Sequence, residues 1–302
     1  MEVEKFPCEV KRNVFLKKCT TFQIGGLAKY FFIVKTEEDL ILAIKLAKKF
    51  SLPFFILGGG SNLLIADKGF KGLVIKIQNS KLIIKDEGLK IKIFCEAGVS
   101  LSKLVLKSLQ KEATGLEWAI GIPGTLGGAI YGNAGAFGSC IAEVIKTIRV
   151  LEIQNSKLII KNFSKKECKF GYRESIFKKN KNLVILSAIL QLKKEKKEKI
   201  KKKIKEYLNY RKKTQPLNFP SIGSVFKNPL SFSTGDLIER AGLKGKRIGK
   251  IRISEKHANF IVNLGGGKAE EAVKLINLIK RKVKEKFGIV LKEEIQYLGF
   301  KN

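Results

Sequence analysis

Between Ala119 and Gly138 the chain reads Ala-Ile-Gly-Ile-Pro-Gly-Thr-Leu-Gly-Gly-Ala-Ile-Tyr-Gly-Asn-Ala-Gly-Ala-Phe-Gly, with seven glycines and no charged side chain. Charged residues make up 29% of the whole chain, so a neutral stretch this long is a constraint and not an accident of composition. Glycine has no Cβ and the freest backbone, so it collects where chain must approach another backbone or a ligand closely. Backbone N–H groups in such a segment must still find acceptors, and phosphate oxygens are a natural supply. The stretch reads as a cradle for a large phosphate-bearing molecule.

The chain has 302 residues, enough for two or three domains, and its 44% hydrophobic content supports a sizeable core. No apolar run is long enough to span a bilayer, and the start lacks the charged-then-apolar pattern of a secretory signal, so we expect no membrane insertion. Five cysteines are scattered without a Cys-x-x-Cys pair, and His257 is the sole histidine. That argues against a histidine-rich metal site and a Ser-His-Asp triad, and we expect no metal. Reduced cysteines fit the cytoplasm. The net charge of +33 invites a nucleic-acid reading. It is dominated by lysine, whereas base-reading surfaces favour arginine. A chain-wide lysine excess also arises from compositional bias, and a positive field attracts phosphorylated ligands.

Acidic residues followed by helical spacing predict a helix over residues 37–50, flanked by strands at Tyr30–Val34 and Phe54–Leu57. The second strand runs into Gly58-Gly59-Gly60-Ser61-Asn62. Lys81–Lys85 with Lys90–Cys95, and Ile145–Ile153 with Leu158–Ile160 around Gln154-Asn155-Ser156, read as hairpins. Ser100–Lys111 reads as a helix and Leu183–Leu192 as a strand. Residues 193–213 carry eleven lysines around an apolar stripe of Ile200, Ile204, Tyr207, Leu208 and Arg211, a solvated amphipathic helix that Pro216 ends. Helices are expected over Thr234–Ala241 and Lys268–Phe287, and strands over Asn259–Asn263 and Ile289–Leu298. The divisions fall at 1–78, 79–200 and 201–302.

Gly58–Gly60 lets successive amides point at an anion, with Ser61 and Asn62 adding side-chain hydrogen bonds. A glycine triplet is also a plain turn, and Gly265-Gly266-Gly267 is the internal control. Neither matches a dinucleotide fingerprint or a P-loop. Two neutral glycine loops about 60 residues apart could clamp a long ligand. With Thr20-Thr21-Phe22-Gln23-Ile24-Gly25-Gly26 they resemble the FAD-binding half of vanillyl-alcohol-oxidase-type (PCMH) flavoproteins.

Further motifs narrow this. Phe170-Gly171-Tyr172-Arg173-Glu174-Ser175 sets one arginine among aromatics. Pro220-Ser221-Ile222-Gly223-Ser224-Val225-Phe226-Lys227-Asn228-Pro229 sets a serine between glycine and apolar residues. Leu237–Gly245, Ser254–Phe260 and Leu291-Lys292-Glu293-Glu294-Ile295 follow. In this order, from about Thr20 to Leu298, the chain resembles the UDP-N-acetylenolpyruvoylglucosamine reductases, flavoenzymes that make UDP-N-acetylmuramate for peptidoglycan.

The resemblance implies an α+β fold: a two-lobed FAD-binding domain and a C-terminal α+β substrate-binding domain. It implies non-covalent FAD, NADPH as hydride donor, UDP-N-acetylenolpyruvoylglucosamine as substrate, and a cytoplasmic monomer that binds no nucleic acid. Ser224 corresponds to the proton donor, with Arg173 and Glu294 as the other catalytic residues. Gly58, Gly59, Gly60, Ser61 and Asn62, then Gly121, Ile122, Pro123, Gly124 and Gly128, and Asn133, Ala134 and Gly135, match cofactor-binding loops. Tyr172, Lys227 and Asn228 fall where the substrate is contacted.

Chemically, hydride addition to an enolpyruvyl ether leaves charge beside a carboxylate. A cation such as Arg173 can stabilise it, and a positioned hydroxyl can protonate the adjacent carbon. Glu294, kept protonated or orienting the serine, would assist. Taken alone, Ser224 reads as a turn hydroxyl, Arg173 as a surface ion-pair partner and Glu294 as a solvated edge-strand residue. The chain departs from the family pattern at Glu293, where proline is common, and Gln296, where arginine is frequent; it looks like the family's shorter form. The rival readings are another FAD-dependent oxidoreductase of the same superfamily and a basic nucleic-acid-binding protein.

Overall fold

The computed structural model describes residues 10–154 and 157–300. These fall into two compact units that alternate along the chain. A central unit holds Phe32–Gly59 and Ile75–Tyr210. A terminal unit holds residues up to Phe31, Gly60–Val74, and residues from Arg211 onward.

In the central unit, α1 (Glu37–Lys49) starts at a capping box. Thr36 Oγ1 accepts from the Asp39 amide at 3.1 Å, and the Asp39 carboxylate accepts from the Thr36 amide at 3.1 Å. Its apolar face buries Leu40, Ala43, Ile44 and Ala47. The unit's main sheet is antiparallel and runs in the order Lys157–Ser164, Ile145–Gln154, Leu183–Lys194, Lys90–Glu96, Leu82–Glu87, with Ala113–Thr114 also on Leu183–Lys194. Leu183–Lys194 is buried without interruption over its first half, as a strand covered on both faces must be. Both expected hairpins form, although Asn155 and Ser156 lie outside the described residues. Ser100 caps α2 (Leu101–Gln110), accepting from the Lys103 amide at 3.2 Å.

The neutral glycine stretch contains a helix that its composition disguises. Three of the seven residues of α3 (Leu126–Gly132) are glycine, a poor helix former. Packing overrides propensity: Leu126, Ala129 and Ile130 are buried, and a Cβ on Gly127 would lie 2.9 Å from the Ala97 Cβ. A short helix, α4 (Ile176–Lys179), follows the Arg173 segment. In α5 (Lys197–Thr214), Ile200, Ile204 and Arg211 are buried, but Leu208 is 40% exposed. At 100° per residue Leu208 lies roughly 60° off the middle of that stripe, so it faces water.

In the terminal unit, Ser221–Ser224, Phe260–Asn263, Ile251–Ile253 and Arg247–Ile248 form an antiparallel sheet in that order. Lys11–Phe15 pairs with the start of Leu27–Val34. The helices α6 (Thr234–Arg240) and α7 (Ala269–Phe287) cover one core with Phe22, Ile24, Leu64, Ile222 and Phe226. Ala272, Leu275, Ile276, Ile279 and Val283 line the inward stripe of α7. Each fully buried leucine or isoleucine contributes roughly 1.5–3 kcal/mol. Gly288, at φ 69°, ends that helix. The sequence reading puts one strand over Ile289–Leu298, but only Gln296–Leu298 is regular, parallel to Leu63–Ile65. The residues before it instead follow Phe226 through a single bridge at Glu293.

Candidate active site

In the central unit the two glycine loops touch. A Cβ on Gly59 would lie 2.5 Å from the Gly124 Cα, and one on Gly58 would lie 2.9 Å from Thr125 Oγ1. Only glycine fits the first contact, because its neighbour is backbone. The peptide planes in both loops are fixed from behind. Lys76 Nζ donates to the Gly58 carbonyl, and the Leu101 amide donates to the Gly124 carbonyl at 3.1 Å. In a trans peptide the following N–H points opposite to the carbonyl. Gly59 N–H and Thr125 N–H therefore face away from these partners. In the terminal unit the Thr21 amide holds the Gly60 carbonyl at 3.2 Å and leaves Ser61 N–H facing away from Thr21. In the central unit, the Gly59 and Thr125 amides with the Thr125 hydroxyl are a donor set that fits a diphosphate. Gly121, Ile122 and Pro123 lead into the second loop with Gly121 at φ 74°, and Gly128 donates to the capping Thr125 Oγ1.

Arg173 sits in a two-residue turn closed by reciprocal bonds between Gly171 and Glu174, each 3.1 Å. Its Nη2 donates to the Gly135 carbonyl at 2.9 Å, and its guanidinium lies 5.5 Å from the ring centre of exposed Tyr172. Asn133 Nδ2 donates to the Gly171 carbonyl at 2.8 Å, while Asn133 Oδ1 accepts from the Ala142 amide at 3.3 Å. The arginine motif and the Asn133–Gly135 segment, with Ala134 between, thus form one cluster. Tyr131 meets Lys181, which donates to its hydroxyl.

The terminal unit brings together Ser61, Asn62, Ser224 and Glu294. Ser224 ends its strand opposite Phe260, just after a register shift at Gly223. Gly223 has φ 80°, and a Cβ there would touch the Ser61 carbonyl at 3.8 Å. Beyond the serine, Val225 O accepts from the Glu294 amide at 2.8 Å, and Lys227 N donates to Lys292 O at 2.9 Å. Asn62 Nδ2 donates to the Glu294 carbonyl at 3.2 Å, and Asn62 O accepts from Gln296 N at 3.0 Å. Glu294 is therefore fixed between the serine strand and the first glycine loop. Its neighbour Glu293 pairs with Lys280 on α7 at 2.8 Å. Lys227 O accepts from Thr234 Oγ1 at 2.8 Å, and Asn228 Oδ1 from Thr234 N at 3.1 Å, so both residues grip the start of α6.

Sequence reasoning missed Lys76, Thr125 and Asn259. Asn259 is buried, accepts from the Phe226 amide at 3.0 Å and donates back to its carbonyl at 2.8 Å. A lone asparagine beside an apolar strand was the available signal. His257 packs within the terminal unit. Its Nδ1 accepts from Asn259 N at 3.3 Å, its ring packs 4.9 Å from Phe260, and burial pushes its pKa down. Burial raises the Cys95 and Cys168 thiols to about 12, which makes them inert at neutral pH.

Residues 28–159 match the model of a FAD binding domain, which places the molecule among flavin-domain proteins of mixed helix and strand, an α+β class. Residues 215–298 match the C-terminal domain of UDP-N-acetylenolpyruvoylglucosamine reductase. The chain is 44% identical to the protein of that name from Caldanaerobacter subterraneus subsp. tengcongensis, over 96% of this chain and 93% of that one. It is likewise 44% identical to the one from Thermotoga sp. (strain RQ2), over 97% and 94%. The solved UDP-N-acetylenolpyruvylglucosamine reductase from Thermus caldophilus superposes with a TM-score of 0.80 at 33% identity, covering 96% of this chain and 99% of that one. The chain belongs to the UDP-N-acetylenolpyruvoylglucosamine reductase family.

Proposed function

We propose that the chain reduces the enolpyruvyl ether of UDP-N-acetylenolpyruvoylglucosamine to UDP-N-acetylmuramate, with FAD held non-covalently and NADPH as reductant. The observation that carries this reading is the clasp on Glu294: one backbone segment joins the serine strand to the glycine loop through Val225 and Asn62. Gly58–Asn62 and Gly121–Thr125 would hold the FAD diphosphate through backbone amides and hydroxyls, with the Gly128 amide orienting Thr125 Oγ1. Bound there, FAD would supply hydride transfer from NADPH to the vinyl carbon of the substrate.

Arg173 stabilises the negative charge that develops beside the substrate carboxylate. Ser224 delivers the proton to the adjacent carbon, and Glu294 orients or reprotonates the serine. Hydride and proton together saturate the double bond. Lys227, Asn228 and Tyr172 contact the sugar nucleotide, and the +33 charge steers that anion inward. The reading makes the protein a monomeric enzyme of peptidoglycan precursor synthesis, and through it of cell shape and division. Among the described residues, the thiols of Cys95, Cys140 and Cys168 form no disulfide, which supports a reducing, cytoplasmic setting.

Anaerobic stopped-flow tests it. Flavin reduced by NADPH should be reoxidised on mixing with UDP-N-acetylenolpyruvoylglucosamine, and failure to do so would leave a different flavin-dependent oxidoreductase. Ser224→Ala should spare flavin reduction and slow reoxidation by at least about 100-fold, the scale of a lost general acid. Equal loss in both steps would make Ser224 a structural residue.

A further inference from the structure

We propose that Asn133 is a positioning residue for Arg173, so that the neutral glycine stretch aims the catalytic guanidinium as well as lining the cofactor loop. The proposal rests on the reading of Arg173 above. Arg173 occupies the left-handed region at φ 55°, where a side chain with a Cβ is disfavoured. A turn of that kind persists only where its surroundings over-determine it.

Here the surroundings are four hydrogen bonds. Asn133 Nδ2 holds Gly171 O at 2.8 Å, Arg173 Nη2 holds Gly135 O at 2.9 Å, Ser175 Oγ holds Tyr131 O at 2.6 Å, and Lys178 Nζ holds Arg173 O at 3.1 Å. Three of the four end on Tyr131–Gly135. The backbone of the turn is thereby tied to the same five residues that receive the guanidinium.

Asn133 is suited to this task and occupied by it. It is itself left-handed at φ 43°, closing α3, a conformation that asparagine tolerates. It is buried, as is Ser175. Its amide nitrogen is spent on Gly171 and its oxygen on the Ala142 amide, which fixes the orientation of the amide group. Both ends of the side chain thus point into the protein, and its leverage is on the arginine turn. The cofactor role that the resemblance implies for this position falls to its backbone.

The test is half-reaction kinetics on the purified flavoenzyme. Asn133→Gly keeps the left-handed backbone and deletes both side-chain bonds. It should slow substrate-driven reoxidation by about 10- to 100-fold, the scale of a catalytic group displaced by an ångström. FAD content and NADPH-driven reduction should change far less. In an Arg173→Ala background the same substitution should add less than about twofold, because the group it positions is gone. Ser175→Ala, at the other end of the clasp, should repeat the pattern if Asn133→Gly folds poorly. Equal loss in both half-reactions, full additivity with Arg173→Ala, or no loss would each overturn the proposal. If Arg173→Ala itself leaves reoxidation intact, the reading of the site fails, and the positioning role fails with it.

Discussion

The chain contains the triplet Gly-Gly-Gly twice, and the two copies have opposite uses. At Gly58–Gly60 each glycine is a point of contact: a Cβ would strike Thr125 Oγ1, the Gly124 backbone or the Cys19 carbonyl. At Gly265–Gly267 the first two glycines have nothing within 4 Å, and the third abuts Ile251. Their amides turn inward, with Gly265 N and Gly267 N both donating to Asn263 Oδ1 at 3.0 Å. In the first triplet carbonyls are gripped and amides point away. In the second an asparagine consumes the amides. Equal glycine density thus leaves amides free in one triplet and spent in the other.

The sharpest way to break this comparison is Gly59→Ala. The new methyl must displace the Gly124 backbone, so folding should weaken by about 1–3 kcal/mol. FAD affinity should fall at least about tenfold, measured by fluorescence titration of the apoprotein. Unchanged affinity would mean that the two loops need not meet to hold the cofactor. Gly266→Ala should cost about 1–2 kcal/mol in thermal or denaturant unfolding, from its φ of 71°, and leave FAD affinity intact. A loss of flavin there would erase the distinction between the triplets.

Lys76→Met removes the cation that holds the Gly58 carbonyl. It should weaken FAD binding by about 3- to 10-fold, the worth of one hydrogen bond, with little change in unfolding. The smallest effect belongs to His257 and concerns folding alone. Burial holds its folded pKa below the ordinary value of about 6.5. The unfolded chain therefore gains a proton first as pH falls. The contribution of His257 is present above about pH 6.5 and declines below it, with a slope of at most about 1.4 kcal/mol per pH unit. His257→Gln should flatten that decline in a melting series from pH 7.5 to 5.5.

Local rules made much of the molecule legible. The Thr36 and Ser100 caps, the two hairpins, the stripe of α7 and the Gly288 stop follow from residue type and spacing, because each is decided within a few residues. The same rules misjudged α3, where buried Leu126 and Ile130 outweigh three glycines, and the end of the chain, where Phe226 governs residues 289–295. They also placed Leu208 inside a helix face that turns it outward. The motifs around Arg173, Ser224 and Glu294 were legible as motifs, whereas the long-range hydrogen bonds that hold their backbones were not. Asn133, Asn62 and Asn259 act across 33 to 232 positions of sequence.

By itself the sequence determined that a neutral, glycine-dense segment needs close neighbours, that the chain forms α+β units, and which family it belongs to. Only the tertiary structure decided which carbonyls are held and hence which amides face outward. It also decided that Glu293 pairs with a lysine, and that a strained arginine turn rests on the glycine segment. These are matters of direction. A peptide plane or a guanidinium acquires its direction from hydrogen bonds made by residues far away in the chain, and no local pattern encodes it.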